Sequence, residues 1–365
     1  MKKCVFLVTG LEQGGIETYL LRFLKYNNKR SYNIIWCKSG KAGALYNDYK
    51  EVSDEIILKP LGCFSIFAYI RFYLYLKKNN IDTICDFNGH FAGLSLVFGY
   101  FARVKKRITF YRGSTNHFKE TKLRLLYNYL MKILVMLFAT KILANSKTAL
   151  DFFYPNRKDT NRFQVVYNDL GREYCSQMNI DVVSIRTMLS LPLNAFVIGH
   201  VGRYNIAKNH ETILKVAEIL CKKYADVYFV LVGKDTDIYL KNKVLQMGLS
   251  KQIQILGYRS DVSSLLKSFD LFYFPSITEG QPNALIEAMA NGIPVIASNI
   301  DPIKESVPLY LYDKLLPPND VNKTIECICK YYFNRDLLNE LFCQNWVIDN
   351  FCSNKWFDIF EKELL

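Results

Sequence analysis

The chain has 365 residues, and half of them are apolar, which is enough for two domains with separate buried cores. No run reaches the roughly 18 uninterrupted apolar residues that a membrane-spanning helix needs. Residues 1–180 hold 28 Lys/Arg and 13 Asp/Glu, a net charge of +15, whereas residues 181–365 hold 19 and 21, a net charge of −2.

Short apolar runs alternate with longer helical patterns through the first half. Helices are predicted near 16–27 and 42–51, and the later intervals between predicted strands are long enough for further helices. Strands are predicted at "CVFLVT", "YNIIWC", "EIILK", "TICDF", "RITFY", "KILAN" and "QVVYN". Strands that alternate with helices indicate βαβ units and a parallel sheet.

The pattern stops over the polar stretch 171–195 and then starts again. Five further strands are predicted at "FVIGHVGR", "VYFVLVG", "IQILGY", "LFYFPS" and "PVIAS". We therefore expect an α/β fold of two Rossmann-like parallel-sheet domains, 1–185 and 186–345, facing a central cleft. A helical segment, 346–365, should pack back on the N-terminal domain. Ligands of such sheets bind beyond the carboxyl ends of the strands.

The stretch "TEGQPNALIEAMANGIPVIAS" contains two glutamates near one helix start. Pro282 suits the first helical turn and Gly292 suits the position after the last, so a helix is predicted over 282–291. Glu279 then lies in the preceding loop, beside the free N–H groups of the helix start, and Glu287 lies inside the helix toward the strand-end cleft. The buried stripe should comprise Ala284, Leu285, Ala288 and Met289.

Two cations follow the first strand of the same predicted domain. Arg203 and Lys208 stand five residues apart after a glycine turn, in "GHVGRYNIAKNH". Two cations beside a helix start would neutralise a diphosphate. "LVGK", with Gly233, and "ILGYRSD" are further glycine turns at strand ends, where a backbone can approach a ligand closely.

These segments, from about 196 to 300, resemble the retaining glycosyltransferases of family 4, which have the GT-B fold. The Glu-x7-Glu pair, the Arg-x4-Lys pair and the glycine turns occur in that family's order. "LEQGGIET", residues 11–18, resembles its first-domain loop. The resemblance implies transfer of a sugar from a nucleotide sugar, most simply a UDP- or GDP-sugar, to a glycan or lipid-linked acceptor in surface-polysaccharide synthesis.

The resemblance also implies roles for single residues. Arg203 and Lys208 would bind the donor diphosphate, Glu279 the sugar hydroxyls and Glu287 the ribose, with Glu279, Arg203 and Lys208 forming the catalytic group. The other implied donor-binding residues are Gly14, Gly15, Gly233, Tyr258, Arg259, Gly280, Gln281, Pro282, Asn283, Ala284 and Leu285. No cofactor or metal is expected, and "DTD" at 235–237 is interpreted as surface rather than a metal motif.

The chain departs from the family pattern in the first half. Many members have a histidine after the fifth strand, where this chain has Arg112, with His117 five residues on. Arg112 is predicted to bind an acceptor phosphate or a donor oxygen, or to be a charge of the cleft. His90 ends a strand at the same sheet edge. We assign Arg112, His90 and His117 to the acceptor side.

Three alternatives remain to be weighed. A short-chain dehydrogenase is disfavoured because Pro155 interrupts the Tyr154/Lys158 pair and no acidic ribose ligand stands near residue 30. A GT-B sugar-nucleotide epimerase shares the architecture, but the Glu-x7-Glu segment favours transfer. A catalytically inactive GT-B binding partner is disfavoured by the intact Arg203, Lys208, Glu279 and Glu287.

The charge asymmetry predicts partners and location. A basic, aromatic-rich half suits an anionic membrane surface, and because no nucleic-acid-binding motif accompanies it, no nucleic-acid partner is expected. Ten cysteines without a CxxC pair favour reduced thiols. The predicted location is the cytoplasm, peripheral on the inner face of the membrane.

Overall fold

A computed structural model describes residues 1–62, 65–115, 121–158, 161–172 and 181–365. The chain forms two compact units: Met1–Gly171 with Ser353–Leu365, and Arg172–Cys352. It thus divides at 171–172 and 352–353, where the sequence predicted 185–186 and 345–346.

The first unit is built on a seven-stranded parallel sheet in the order β3-β2-β1-β4-β5-β6-β7. Its strands are β1 Lys3–Val8, β2 Tyr32–Cys37, β3 Glu55–Leu58, β4 Thr83–Asp86, β5 Lys106–Tyr111, β6 Lys141–Ala144 and β7 Phe163–Val165. Its helices are α1 Gly15–Asn27, α2 Tyr46–Val52, α3 Ile66–Lys78, α4 Gly93–Phe101, α5 Lys122–Phe138 and α6 Lys147–Phe153. The inner strands are mostly buried, because helices cover both faces of a parallel sheet, whereas the edge strands β3 and β7 are mostly half-buried.

The second unit is built on a five-stranded parallel sheet in the order β10-β9-β8-β11-β12. Its strands are β8 Phe196–Val201, β9 Val227–Val232, β10 Ile253–Gly257, β11 Leu271–Phe274 and β12 Val295–Ala297. Its helices are α7 Val182–Met188, α8 His210–Lys223, α9 Thr236–Gln246, α10 Val262–Leu266, α11 Asn283–Ala290, α12 Asp301–Lys304, α13 Val321–Phe333 and α14 Gln344–Phe351. All twelve strands coincide with predicted runs, which confirms the predicted two-sheet fold.

The last helix, α15 Lys355–Leu364, returns to the first unit. Phe360 packs against Phe23 with ring centroids 4.7 Å apart, and Phe357 and Phe360 both contact Tyr19. The prediction that C-terminal helical chain packs back on the N-terminal domain is confirmed for α15. By contrast, α14 packs against α11 of the second unit, where Gln344 Nε2 donates to the Ala290 carbonyl.

One prediction about the cysteines is wrong. Seven cysteines of the described residues carry free thiols, but Cys352 is disulfide-bonded. Among the residues described, no helix is both long and apolar enough to cross a bilayer.

Candidate active site

The candidate site lies where the strand order of the second sheet reverses. β8 and β11 are neighbours, yet the chain leaves β8 toward β9 on one side, and β11 leads to β12 on the other. The loops that follow these two strands therefore diverge from one edge of the sheet and leave a crevice, which is where open α/β sheets bind ligands. The two loops are residues 202–209 and 275–282.

Lys208 and Glu279, one from each loop, meet at this edge. Lys208 Nζ lies 2.6 Å from Glu279 Oε1, although the residues are 71 positions apart in the chain. The Lys208 side chain is 16% exposed and the Glu279 side chain 10%. The ammonium also lies 4.7 Å from the centre of the Phe274 ring. A cation and a carboxylate are thus held side by side at the switch point, and both side chains are largely buried.

The local sequence explains how Lys208 is held. Asn205 begins a short 3-10 helix, Ile206–Lys208, and its side-chain oxygen accepts a hydrogen bond of 3.0 Å from the Lys208 backbone N–H. Asn209 then takes a left-handed conformation, with φ of 57°, which asparagine tolerates better than most residues. "NIAKN" therefore encodes a tight turn with the lysine fixed at its end.

Asn209 connects this turn to the loop that carries Glu279, a role the sequence analysis missed. Its buried Nδ2 lies 3.1 Å from the Pro275 carbonyl, 2.8 Å from the Pro318 carbonyl and 3.0 Å from Asn319 Oδ1. Its Oδ1 accepts a hydrogen bond from Thr212. The signal in the sequence was the pair of asparagines around Lys208, but their partners are distant in the chain.

We expect Asn209→Ala to destabilise the protein by about 2–3 kcal/mol, because buried carbonyls lose their donor. It should also lower turnover, since Lys208 and Glu279 are no longer held in register. Urea unfolding and initial rates would measure both effects. Asn242→Ala, at an exposed position on α9, is the matched control and should change neither quantity. If Asn209→Ala and Asn242→Ala had the same stability and the same turnover, this role of Asn209 would be contradicted.

Gly233 lets the loops after β8 and β9 touch. A Cβ at this position would lie 2.1 Å from the Gly202 carbonyl oxygen and 2.9 Å from the Arg203 nitrogen, and φ is +156°. The Tyr204 N–H donates to the Lys234 carbonyl at 2.9 Å. The glycine backbone at 233 is thus packed against the loop that carries Arg203, and its approach to a ligand stays a prediction.

Arg203 differs from Lys208 in its surroundings. Its side chain is exposed and makes no ion pair within the described part of the chain. The guanidinium is thus available to an anionic ligand without breaking an existing contact. Lys208, in contrast, must exchange its carboxylate partner or share it with the ligand.

The other predicted residues of this unit divide into two groups. Gly280, Gln281, Pro282 and Leu285 are buried, whereas Asn283, Ala284 and Glu287 are half-buried along α11. Ala284 was predicted to be in the buried stripe, and the structure places Ile286 there instead, because α11 is covered by α14 on a second side. Pro282 is the residue before the first helical turn, and Gly292 has the left-handed φ of 74° that ends the helix.

Tyr258 and Arg259, two of the implied donor-binding residues, lie after β10. Tyr258 is 48% exposed. Arg259 donates two hydrogen bonds to Asp261, at 2.8 and 2.6 Å. The guanidinium is therefore already engaged by a residue two positions on, and a ligand would compete with that pair.

Two buried, uncharged histidines pack next to the turn that carries Lys208. The His200 and His210 rings lie 5.1 Å apart, and both residues are buried. Burial lowers the pKa of His210 to about 4 and lowers that of His200 well below its usual value. Neither ring is charged at neutral pH, so Arg203 and Lys208 supply the positive charge of this loop.

In the first unit, Gly14 and Gly15 lie at the start of α1, as the sequence predicted. Gly14 precedes the helix with extended backbone, and its carbonyl accepts a hydrogen bond from the Thr18 N–H at 2.9 Å. Gly43, which the sequence analysis did not single out, supports this loop: a Cβ there would lie 2.3 Å from the Leu11 carbonyl. The Leu45 N–H donates to the same carbonyl.

Arg112 follows β5 and reaches under the start of α1. Its guanidinium lies 4.1 Å from the Tyr19 ring centre and 4.8 Å from that of Phe110, and Nη2 donates to the Gly15 carbonyl at 3.4 Å. Nε and Nη1 are enclosed without a hydrogen-bond partner among the described residues. Burial lowers the Arg112 pKa to about 10, which leaves the side chain charged at neutral pH.

The two histidines assigned to the acceptor side have different outcomes. His90 is buried on the short 3-10 helix Gly89–Ala92, against the rings of Phe91, Tyr111 and Phe153. Burial lowers the pKa of His90 to about 4, so it is neutral at neutral pH. His117 lies outside the described residues.

The two parallel sheets define an α/β protein, and Lys208 and Glu279 lie at the switch point of the second sheet, where open α/β sheets bind ligands. Residues 184–341 match the family model of the glycosyl transferases group 1. The second unit is thus similar to that family, and the chain has the GT-B fold of its structural neighbours.

Several glycosyltransferases align with most of the chain. The capsular polysaccharide biosynthesis glycosyltransferase CapH of Staphylococcus aureus is 28% identical over 306 residues, 82% of each chain. The UDP-Gal:alpha-D-GlcNAc-diphosphoundecaprenol alpha-1,3-galactosyltransferase of Escherichia coli is 25% identical, over 94% of this chain and 90% of its own. Among solved structures, HepE of Anabaena in complex with UDP-glucose superposes with a TM-score of 0.84 at 19% identity, covering 100% and 99% of the two chains.

Proposed function

We propose that this protein is a retaining, metal-independent glycosyltransferase that moves a hexosyl group from a nucleotide sugar to a glycan or lipid-linked acceptor. The Lys208–Glu279 pair at the switch point carries this proposal. It joins a group that can neutralise a phosphate to a group that can accept hydrogen bonds from sugar hydroxyls. The match of residues 184–341 to the glycosyl transferases group 1 supports the reaction class.

The charge that develops during transfer explains the cations. When the bond between the anomeric carbon and the phosphate oxygen breaks, the electron pair stays with the leaving diphosphate. Lys208 and Arg203 would stabilise that charge, and fixed cations in a sheltered site are a large catalytic effect. Retention places the acceptor hydroxyl on the face that the leaving group vacates, where the departing phosphate oxygen can take its proton.

Glu279 and Glu287 would bind the two ends of the donor. Glu279 exchanges part of its contact with Lys208 for hydroxyls of the sugar, and Glu287 accepts hydrogen bonds from the ribose. Gly14, Gly15 and Gly233 would allow backbone to lie close to the diphosphate. Tyr258 and Arg259 would border the base.

A UDP-sugar donor and a lipid-linked acceptor are the specific substrates we propose. The E. coli relative is named for UDP-Gal and a diphosphoundecaprenol acceptor, and HepE was solved with UDP-glucose. The CapH name supports a role in surface-polysaccharide synthesis. Arg112, a buried cation with two unpartnered nitrogen atoms, would contribute to binding an acceptor phosphate or a donor oxygen.

A thermal-shift screen against UDP-, GDP-, ADP- and dTDP-sugars, followed by product analysis with the best donor, tests the proposal. A donor at 100 times its dissociation constant should stabilise the protein by about 2.7 kcal/mol. Release of the nucleoside diphosphate with a new glycosidic bond of the donor's anomeric configuration is the expected result. A free epimerised sugar nucleotide would indicate an epimerase, and donor binding without turnover would indicate an inactive binding partner.

Turnover should not depend on a divalent metal. Lys208 and Arg203 are proposed to supply the positive charge that Mg²⁺ or Mn²⁺ supplies in metal-dependent transferases. We expect the initial rate to be the same in excess EDTA as in added MgCl₂. A loss of activity in EDTA that Mn²⁺ or Mg²⁺ restores would contradict this.

A further inference from the structure

The outward side of α5 is apolar along its whole length. Leucine or isoleucine recurs at positions 123, 126, 130, 133 and 137, and all five side chains are exposed. Leu123 is 81% exposed and Leu137 68%. The interval of three and four residues places them on one stripe of the helix.

The buried side of α5 is apolar as well, because its two buried residues are Met131 and Val135. Arg124 and Lys132 are half-buried, each over an aromatic ring, 5.6 and 4.8 Å from the ring centre. A surface helix in water normally carries polar and charged residues on its outward side. The outward stripe of leucine and isoleucine therefore indicates that something apolar covers it when the protein works.

The apolar surface continues onto the neighbouring helices. Phe67, Ile70 and Leu74 are exposed on α3, and Tyr100 and Phe101 are exposed at the end of α4. α4 contacts both α3 and α5, and all three helices contribute to one core on the same face of the seven-stranded sheet. We call this surface, formed by the exposed residues of α3, α4 and α5, the outer helical face. Contiguous exposed apolar patches mark interaction sites.

The outer helical face is also basic. The three helices contain no Asp or Glu, and their exposed cations are Arg71, Lys77, Lys78 and Lys122. Arg103 and Lys105 are exposed just beyond α4, beside an open cleft of about 530 Å³ that Tyr100 and Phe101 also line. The ends of α3 and α4 lie at the same edge, because each helix returns to the start of a parallel strand. The apolar stripes are therefore bordered by a row of cations.

We propose that the outer helical face docks on a bilayer of anionic phospholipid, with the stripes of α3 and α5 at the acyl boundary and the cations at the lipid phosphates. Apolar side chains with basic neighbours are the composition of helices that lie in a membrane interface. A second copy of the chain fits less well, because two such faces would bring like charges together without an acidic residue on any of the three helices. This inference goes beyond the proposed function and does not require it.

Flotation of the purified full chain with vesicles tests the proposal, with no donor or acceptor present. The wild type should float with vesicles of phosphatidylglycerol and phosphatidylcholine in equal parts, less with pure phosphatidylcholine, and less at high salt. The triple variant Leu126→Ser, Leu130→Ser and Leu137→Ser should partition at least about tenfold less. The charge-reversal variant Lys77→Glu, Lys78→Glu should partition at least about 25-fold less, because each lost lysine alone accounts for about fivefold.

The matched control is the triple variant Ile238→Ser, Leu245→Ser and Leu309→Ser, whose exposed apolar side chains belong to the second unit. It should float like the wild type. Circular dichroism checks that all variants are folded. If the leucine variant is unfolded, the charge-reversal variant alone tests the proposal. Unchanged flotation of the leucine and charge variants would overturn the proposal. So would a dimer in gel filtration that the leucine variant separates while vesicle binding stays the same.

Discussion

Replacing Lys208 with alanine is expected to lower turnover by about two to three orders of magnitude. The variant removes the cation that touches Glu279 and that would stabilise the leaving diphosphate. The fold should survive, because the lysine lies at the end of a loop whose shape depends on Asn205 and Asn209 rather than on the ammonium. Initial rates at saturating donor measure the turnover, and circular dichroism of the same preparation shows whether the fold is intact.

Lys215→Ala is the matched control for this variant. Lys215 lies on α8, seven residues after Lys208, and is exposed. Its replacement removes the same charge from the unit and should leave turnover unchanged. Wild-type activity in Lys208→Ala would show that this cation is not needed for turnover. An equal loss in Lys215→Ala would show that net charge rather than a specific contact matters.

Replacing Gly233 with alanine is expected to have the largest effect on stability, about 2–4 kcal/mol. The added Cβ would lie 2.1 Å from the Gly202 carbonyl oxygen and 2.4 Å from its carbon, both of them backbone atoms. At φ of +156° the new side chain is strained whatever the space. The loop of Arg203 and Lys208 must move, so donor binding should weaken as well. Urea unfolding and donor titration measure the two effects.

Gly248→Ala separates the clash from the conformational strain. Gly248 also has a left-handed φ, of +71°, but a Cβ there would meet nothing within 4 Å. Its replacement should cost only about 1 kcal/mol and leave donor affinity unchanged. If the two variants lose equal stability and both keep donor affinity, the contact between the loops after β8 and β9 is not needed for the site.

The sequence was sufficient for those features that depend on local patterns. Strands appear as short apolar runs between turns, and helix ends appear as residues such as Gly292, whose left-handed φ glycine adopts without cost. These signals were enough to place Lys208 and Glu279 at one sheet edge.

The rest depends on contacts between distant residues. No spacing rule shows that Lys208 contacts Glu279 or that Asn209 donates to the Pro275 and Pro318 carbonyls. Nor does one show that Arg112 lies against the rings of Tyr19 and Phe110. Helix α5 illustrates the same limit. It has apolar residues on more than one side, and only the packed structure reveals that Met131 and Val135 are buried while the stripe from Leu123 to Leu137 faces outward.

The central claim is that Lys208 and Glu279 bind different parts of one donor. Isothermal titration of UDP and of a UDP-sugar into the wild type, Lys208→Ala and Glu279→Gln tests it most directly. Lys208→Ala should weaken both ligands, because both carry the diphosphate. Glu279→Gln should leave UDP binding unchanged or tighter and remove only the additional affinity for the sugar. Equal weakening of UDP and the UDP-sugar by Glu279→Gln, or no weakening of either by Lys208→Ala, would contradict the account.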